Sequence, residues 1–169
     1  MTVLVSAATK HGATFAIAER IARGLTERGV AAVAHPIDDI GELEGYDAVV
    51  LGSGIYAGHW LEPAKRFIDR HRDGLRARPV WLFSSGPIGD PPRPAGDSPD
   101  AVGLREQTLA REHRVFAGAL DRNQLSFAER AITRVVGASP GDFRPWIEID
   151  AWAAAIATAL SAPVGAERA

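Results

Sequence analysis

The chain has no cysteine and one methionine in 169 residues. Disulfides, thiolate metal sites and thiol nucleophiles are therefore excluded, no metal site is assigned, and a cytoplasmic setting is expected. Charge of either sign is hardly in excess. Nineteen basic against 21 acidic side chains leave a formal net charge of -2. Nucleic-acid binding calls for a basic surplus, so no nucleic-acid partner is expected. Apolar runs stay well short of the ~20 residues of a membrane span. The amino terminus enters a strand at once, so no signal peptide is expected. What is present is globular: 46% hydrophobic and 24% charged residues, enough for one sizeable core. A single domain is expected over 1–161, with an insertion at 121–144 and a fraying tail at 162–169.

Five apolar runs read as strands, at 2–6, 30–35, 48–52, 80–84 and 114–117. The runs at 48 and 80 are nearly continuous, as in strands buried on both faces. Helical patterns lie between them. One places Ile17, Ala18, Ile21, Ala22 and Leu25 on a single face within 15–25. Another carries Leu61, Ala64, Ile68 and Leu75, and the last Ile149, Trp152, Ala153, Ile156 and Leu160. Residues 38–43 allow at most a short helix, and 99–110 suit a weakly patterned one. Strands alternating with helices predict an α/β fold, a doubly wound five-stranded parallel sheet of order 2-1-3-4-5 with helices on both faces. Ligands in such sheets bind beyond the carboxyl ends of the strands, where the order switches.

Three loops are expected there. Ala8-Thr9-Lys10-His11-Gly12-Ala13-Thr14 links the first strand to the first helix. Backbone N–H groups at the positive end of a helix suit a phosphate dianion, and Thr9 and Thr14 add hydroxyl donors. The segment is neither a Walker A loop nor a GxGxxG turn, and reads as a mononucleotide site. The alternative is a plain strand-to-helix turn capped by threonine. The second loop, Gly52-Ser53-Gly54-Ile55-Tyr56-Ala57-Gly58-His59-Trp60, combines glycines with aromatic faces. The third is Ser84-Ser85-Gly86-Pro87-Ile88-Gly89-Asp90, opening a proline-rich stretch, 87–99. Together they describe a phosphate socket beside a slot for a planar heterocycle.

With these motifs the chain resembles the flavodoxin family over nearly its whole length. Thr9-Lys10-His11-Gly12-Ala13-Thr14 is similar to that family's phosphate loop, Ser/Thr-x-x-Gly-x-Thr. The second loop resembles that of the menaquinone-dependent protoporphyrinogen oxidase group. So does Phe116-Ala117-Gly118-Ala119-Leu120 followed by the insertion 121–144. The resemblance implies non-covalent FMN. Thr9, Lys10, His11, Gly12, Ala13 and Thr14 would surround the phosphate. Ser53, Gly54, Ile55, Tyr56, Ala57 and Gly58 would lie along the isoalloxazine, with Ser85, Gly86, Pro87, Ile88 and Gly89 at its other edge. It also implies oxidation of protoporphyrinogen IX to protoporphyrin IX, a porphyrinogen-like small molecule as substrate and a quinone or other redox partner as acceptor. Peripheral contact with the inner face of a membrane goes with that role.

The chain departs from the pattern at Ala13, where Ser, Gln or Asn is frequent. Its insertion also carries Arg122, Arg130 and Arg134 and a helical stripe at 127–136, readable as a lid or a membrane contact. Tyr56 is either a stacking face for the flavin or packing at a loop base. Trp60 opens a helix and either anchors it to the sheet or offers a flat face to a ring. His59 either balances the anionic reduced flavin or is a solvated loop histidine. Lys10 and Arg93 either guide an anionic substrate or are solvated charges. Trp146 and Trp152 are core or insertion anchors. An electron carrier without its own substrate is the competing function, and such carriers are typically strongly acidic. A phospho-receiver domain is excluded, because Ser6-Ala7-Ala8 and Gly52-Ser53-Gly54 stand where its aspartates are needed.

Overall fold

A computed structural model describes residues 1–86, 98–120 and 141–162. In chain order the elements are β1 (Thr2–Ala8), α1 (Ala13–Thr26), β2 (Ala31–Ala34), a 3₁₀ turn (Ile37–Asp39), β3 (Ala48–Tyr56) and β4 (His59–Trp60). They continue as α2 (Glu62–Arg70), α3 (Arg72–Arg76), β5 (Val80–Ser85), α4 (Asp100–Thr108), β6 (Glu112–Phe116), β7 (Ala119–Leu120), β8 (Gly141–Asp142) and α5 (Trp146–Ser161). Strands β2-β1-β3-β5-β6 form a parallel sheet, the expected 2-1-3-4-5 order counted over its five parallel strands.

Alternation along each central strand feeds two cores, since successive side chains point to opposite faces. Val3, Val5, Val50 and Phe83 meet α1 and α5 through Ile17, Ile21, Trp152 and Ile156. Leu4, Val49, Leu51 and Leu82 meet α2, α3 and α4 through Phe67, Ile68, Leu75 and Leu104. Helices α1 and α5 approach closely because Gly24 has no side chain; a Cβ there would sit 3.0 Å from Ala153 Cβ. Arg20 adds a two-point pair across the same helices, donating to both oxygens of Asp150 at 2.6 and 2.7 Å.

The structure corrects several expected boundaries. Residues 53–56 are strand, not loop: β3 continues to Tyr56, turns at Ala57 and Gly58, and returns as β4. Both turn residues have positive φ, 49° and 84°, the type I′ geometry whose twist matches a two-residue hairpin. The pattern from Leu61 to Leu75 breaks at His71, whose φ of -106° and ψ of 18° separate α2 from α3. The last parallel strand starts at Glu112 rather than 114, because an edge strand with partly exposed residues tolerates Glu112 and His113. Ala119–Leu120 and Gly141–Asp142, at the two ends of the insertion, pair as an antiparallel ribbon that the sequence pattern did not reveal. The helical stripe at 127–136, Arg122, Arg130, Arg134 and the tail from 163 lie outside the described residues. Among the described residues no helix is long and apolar enough to cross a membrane.

Candidate functional site

The first loop joins the carboxyl end of β1 to α1. Gly12 is the N-cap residue, with φ 81° and ψ -17° in the left-handed region, and no side chain caps the helix. The threonine-capped turn is thus corrected: glycine takes the special conformation, and Thr14 lies inside the helix. The first turn holds no acidic residue. Helix N-termini carry N–H groups without intrahelical acceptors and partial positive charge, so this end can receive an anion. Thr14 is buried. A Cβ added at Gly54 would lie 3.2 Å from its Oγ1, so α1 and β3 meet with only glycine between them. Thr9 and Ala13 are half-buried, and Lys10 and His11 are exposed. The Lys10 ammonium lies 3.5 Å from the centroid of the Tyr56 ring, a cation–π contact that joins the first loop to the hairpin.

The hairpin is held from below and from the side. Ser53 is fully buried; its hydroxyl donates to the Gly54 carbonyl and accepts the Leu61 N–H, both at 2.9 Å. That oxygen is committed to shaping the hairpin. Trp60 is buried and donates from Nε1 to Ser84 Oγ at 2.8 Å; it lies in β4 and ties that strand to β5 rather than opening a helix. His59 Nδ1 lies 3.2 Å from Asp100 Oδ1, while Asp100 Oδ2 accepts the Trp60 N–H at 2.8 Å. Ser98 donates to the Gly58 carbonyl at 2.8 Å. His59 is therefore paired rather than merely solvated. Burial pushes the Asp100 carboxyl up, but the Trp60 N–H, His59 and Lys65 outweigh it and hold it below the ordinary carboxylate value.

The third segment follows β5. Ser85 is buried, and the Gly86 N–H donates to the Phe116 carbonyl at 3.3 Å. A Cβ at Gly86 would fall 2.5 Å from Ile55 Cβ, so glycine is what lets this segment close on the hairpin. Pro87, Ile88, Gly89 and Arg93 lie outside the described residues. The contacts Thr14–Gly54, Lys10–Tyr56 and Ile55–Gly86 thus bring the three glycine-bearing segments together at the carboxyl end of the sheet.

Residues 4–143 match the flavodoxin domain family. The chain belongs to that family. Among curated proteins this flavodoxin-domain chain is 25% identical over 142 residues to the protoporphyrinogen IX dehydrogenase [quinone] of Escherichia coli K12, covering 80% of this chain and 78% of that one. Among solved structures it is similar to a flavodoxin from the domain Archaea, with TM-score 0.65 and 15% identity over 96% of this chain and all of that one. The oxidised flavodoxin 1 of Bacillus cereus gives TM-score 0.63 and 16% identity, with coverage of 95% and 100%. These likenesses show the fold.

The residues present fit a flavin mononucleotide. The uncapped helix end without acidic neighbours suits its phosphate, and the glycines at 54 and 86 let the other two segments pack close beside that end. Sequence pattern missed Asp100, Ser98 and Arg144. Asp100 and Ser98 clamp the hairpin from 40 residues away. Arg144 reaches the Ala13 carbonyl from 131 residues away. No periodicity or local motif carries pairings of that range. A concavity of about 510 Å³ between residues 42–44, residues 69–74 and Arg78 lies apart from these loops, and Arg72 in its wall pairs with Asp69 at 3.2 Å.

Proposed function

We propose that this chain binds FMN without a covalent link and oxidises protoporphyrinogen IX, or a closely similar porphyrinogen, with a quinone as acceptor. The observation that carries the reading is the meeting of the phosphate-loop helix end with the Gly54 and Gly86 segments, in a chain similar along most of its length to a quinone-linked protoporphyrinogen dehydrogenase. Residues 9–14 would hold the phosphate, 53–58 one edge of the ring and 85–89 the other. The flavin, when bound, supplies the two-electron chemistry, and the protein supplies position and polarity. The helix end and threonine hydroxyls would hold the phosphate by hydrogen bonds, and the hairpin clamp at Asp100 would fix the slot. The same reading takes 1–161 as one domain, acting in the cytoplasm and meeting its acceptor at the inner face of a membrane.

Purified protein should be yellow and release FMN on denaturation; a colourless protein that takes up no FMN sinks the reading. Thr14→Asp places a carboxylate at the helix end and should abolish FMN uptake, and unchanged affinity would refute the phosphate assignment. An anaerobic assay with protoporphyrinogen IX and a soluble quinone then separates enzyme from carrier. Quinone-dependent porphyrin fluorescence is expected. Its absence from FMN-loaded protein would point to an electron carrier or to another donor.

A further inference from the structure

The first turn of α1 is also gripped by a residue from the far end of the fold. Arg144 follows β8. Its Nε and Nη2 donate to Asp142 Oδ1 and Oδ2 at 2.8 and 2.6 Å, and its Nη1 donates to the Ala13 carbonyl at 3.2 Å. Its guanidinium carbon lies 4.5 Å from the Trp146 ring centroid. The Arg144 N–H returns to Asp142 Oδ1 at 3.1 Å. The side chain is only 16% exposed. A planar fork bonded at one edge, stacked on one face and anchored at its remaining nitrogen has no free rotation left, a geometry lysine cannot reproduce.

Ala13 is the first residue of α1. Its carbonyl has a second lone pair, so it can accept Arg144 without losing its helical bond. The other side of the same segment is fixed as well. The Phe143 N–H donates to the Gly118 carbonyl at 3.1 Å, and a Cβ at Gly118 would sit 3.4 Å from Ser85 Oγ. Residues 141–144 therefore bridge from the end of β5 to the start of α1.

We propose that Arg144 is a positioning residue of the phosphate site: it fixes the first turn of α1 so that its N–H groups converge on the anion. This rests on the FMN reading above. Position rather than charge is the effect, because Asp142 sits against the guanidinium and cancels most of its field.

The test compares FMN with riboflavin, which lacks the phosphate, by flavin-fluorescence titration of the flavin-stripped full chain. Arg144→Ala should weaken FMN by roughly tenfold, as loss of a charge-assisted hydrogen bond implies, and leave riboflavin affinity unchanged. Arg144→Lys should rescue only part. Asp142→Asn should also weaken FMN, because the fork loses an anchor. Equal losses for both flavins, or an unchanged FMN-to-riboflavin ratio, would mean a merely structural arginine and overturn the proposal. Tighter FMN binding in Asp142→Asn would overturn it in favour of a charge effect. If Arg144→Ala does not fold, the Lys and Asp142→Asn variants decide by the same ratio. A wild-type chain that binds neither flavin defeats the FMN reading and this proposal together. Wild-type FMN binding with an unmoved ratio defeats this proposal alone.

Discussion

The indole N–H of Trp60 and the hydroxyl of Ser84 meet at 2.8 Å in the interior, and the same oxygen lies 2.8 Å from His113 Nε2. This polar contact ties β4 to β5 and β6. Ser84→Ala strands a buried indole N–H and should destabilise the fold by roughly 1–3 kcal/mol, the penalty for an unmade buried bond. Trp60→Phe in the same background should cost less than in wild type, giving a coupling of at least about 0.5 kcal/mol in a double-mutant cycle. Urea midpoints measure both. Strictly additive losses would show that the contact contributes nothing.

Leu109 holds φ 54° and ψ 34° just past α4. The following N–H, of Ala110, closes the helix by donating to the Arg105 carbonyl at 3.1 Å. A branched side chain in the left-handed region is unfavourable, and this one is 57% exposed, so its burial contributes little. Leu109→Gly should therefore raise stability by about 0.5–1 kcal/mol, as expected where glycine takes a helix-ending left-handed position. A lowered melting temperature in thermal denaturation would contradict it.

The sheet order was legible because β1, β3 and β5 carry apolar runs that both faces bury, and because Ile17, Ile21 and Leu25 repeat at helical spacing. The first loop was legible for a local reason: Gly12 and Thr14 stand where one short turn meets one helix. The hairpin was not. Gly54 and Gly58 read as loop, yet Gly54 is a strand residue kept small by Thr14 across the packing. Only Gly58 serves the turn itself, beside Ala57, whose type gives no turn signal. The clamp residues Ser98 and Asp100 follow a proline-rich stretch, and their partners are fixed by tertiary structure alone.

Asp100 joins the hairpin to α4 through His59 and the Trp60 N–H. Its carboxyl sits below the ordinary value. A depressed carboxylate contributes stability that is fully present above the unfolded-state value of about 4 and is lost as pH falls through the folded one. Asp100→Asn should then be less stable than wild type at pH 7, with the gap closing below pH of about 4. Denaturation at a series of pH values reads the difference. A gap that stays constant down to the acid transition would mean that the carboxylate charge is not what holds the hairpin.

Gly52 and Phe83 are register partners on β3 and β5, and the phenyl ring folds back over the glycine. A Cβ at Gly52 would lie 2.2 Å from Cζ and 2.4 Å from Cε1, closer than any real contact. The ring cannot simply swing away, because Phe116 and Trp152 each pack against it with centroids 6.2 Å distant. Gly52→Ala should therefore destabilise by about 1–3 kcal/mol, the scale of overpacking in a close-packed core. If steric conflict with this ring is the cause, replacing the ring must relieve it. In the Phe83→Leu background the further cost of Gly52→Ala should shrink to well under half. Near-ultraviolet circular dichroism should show the Phe83 environment perturbed in the single alanine variant. An equal cost in both backgrounds would place the requirement for glycine in the strand backbone rather than beneath the ring.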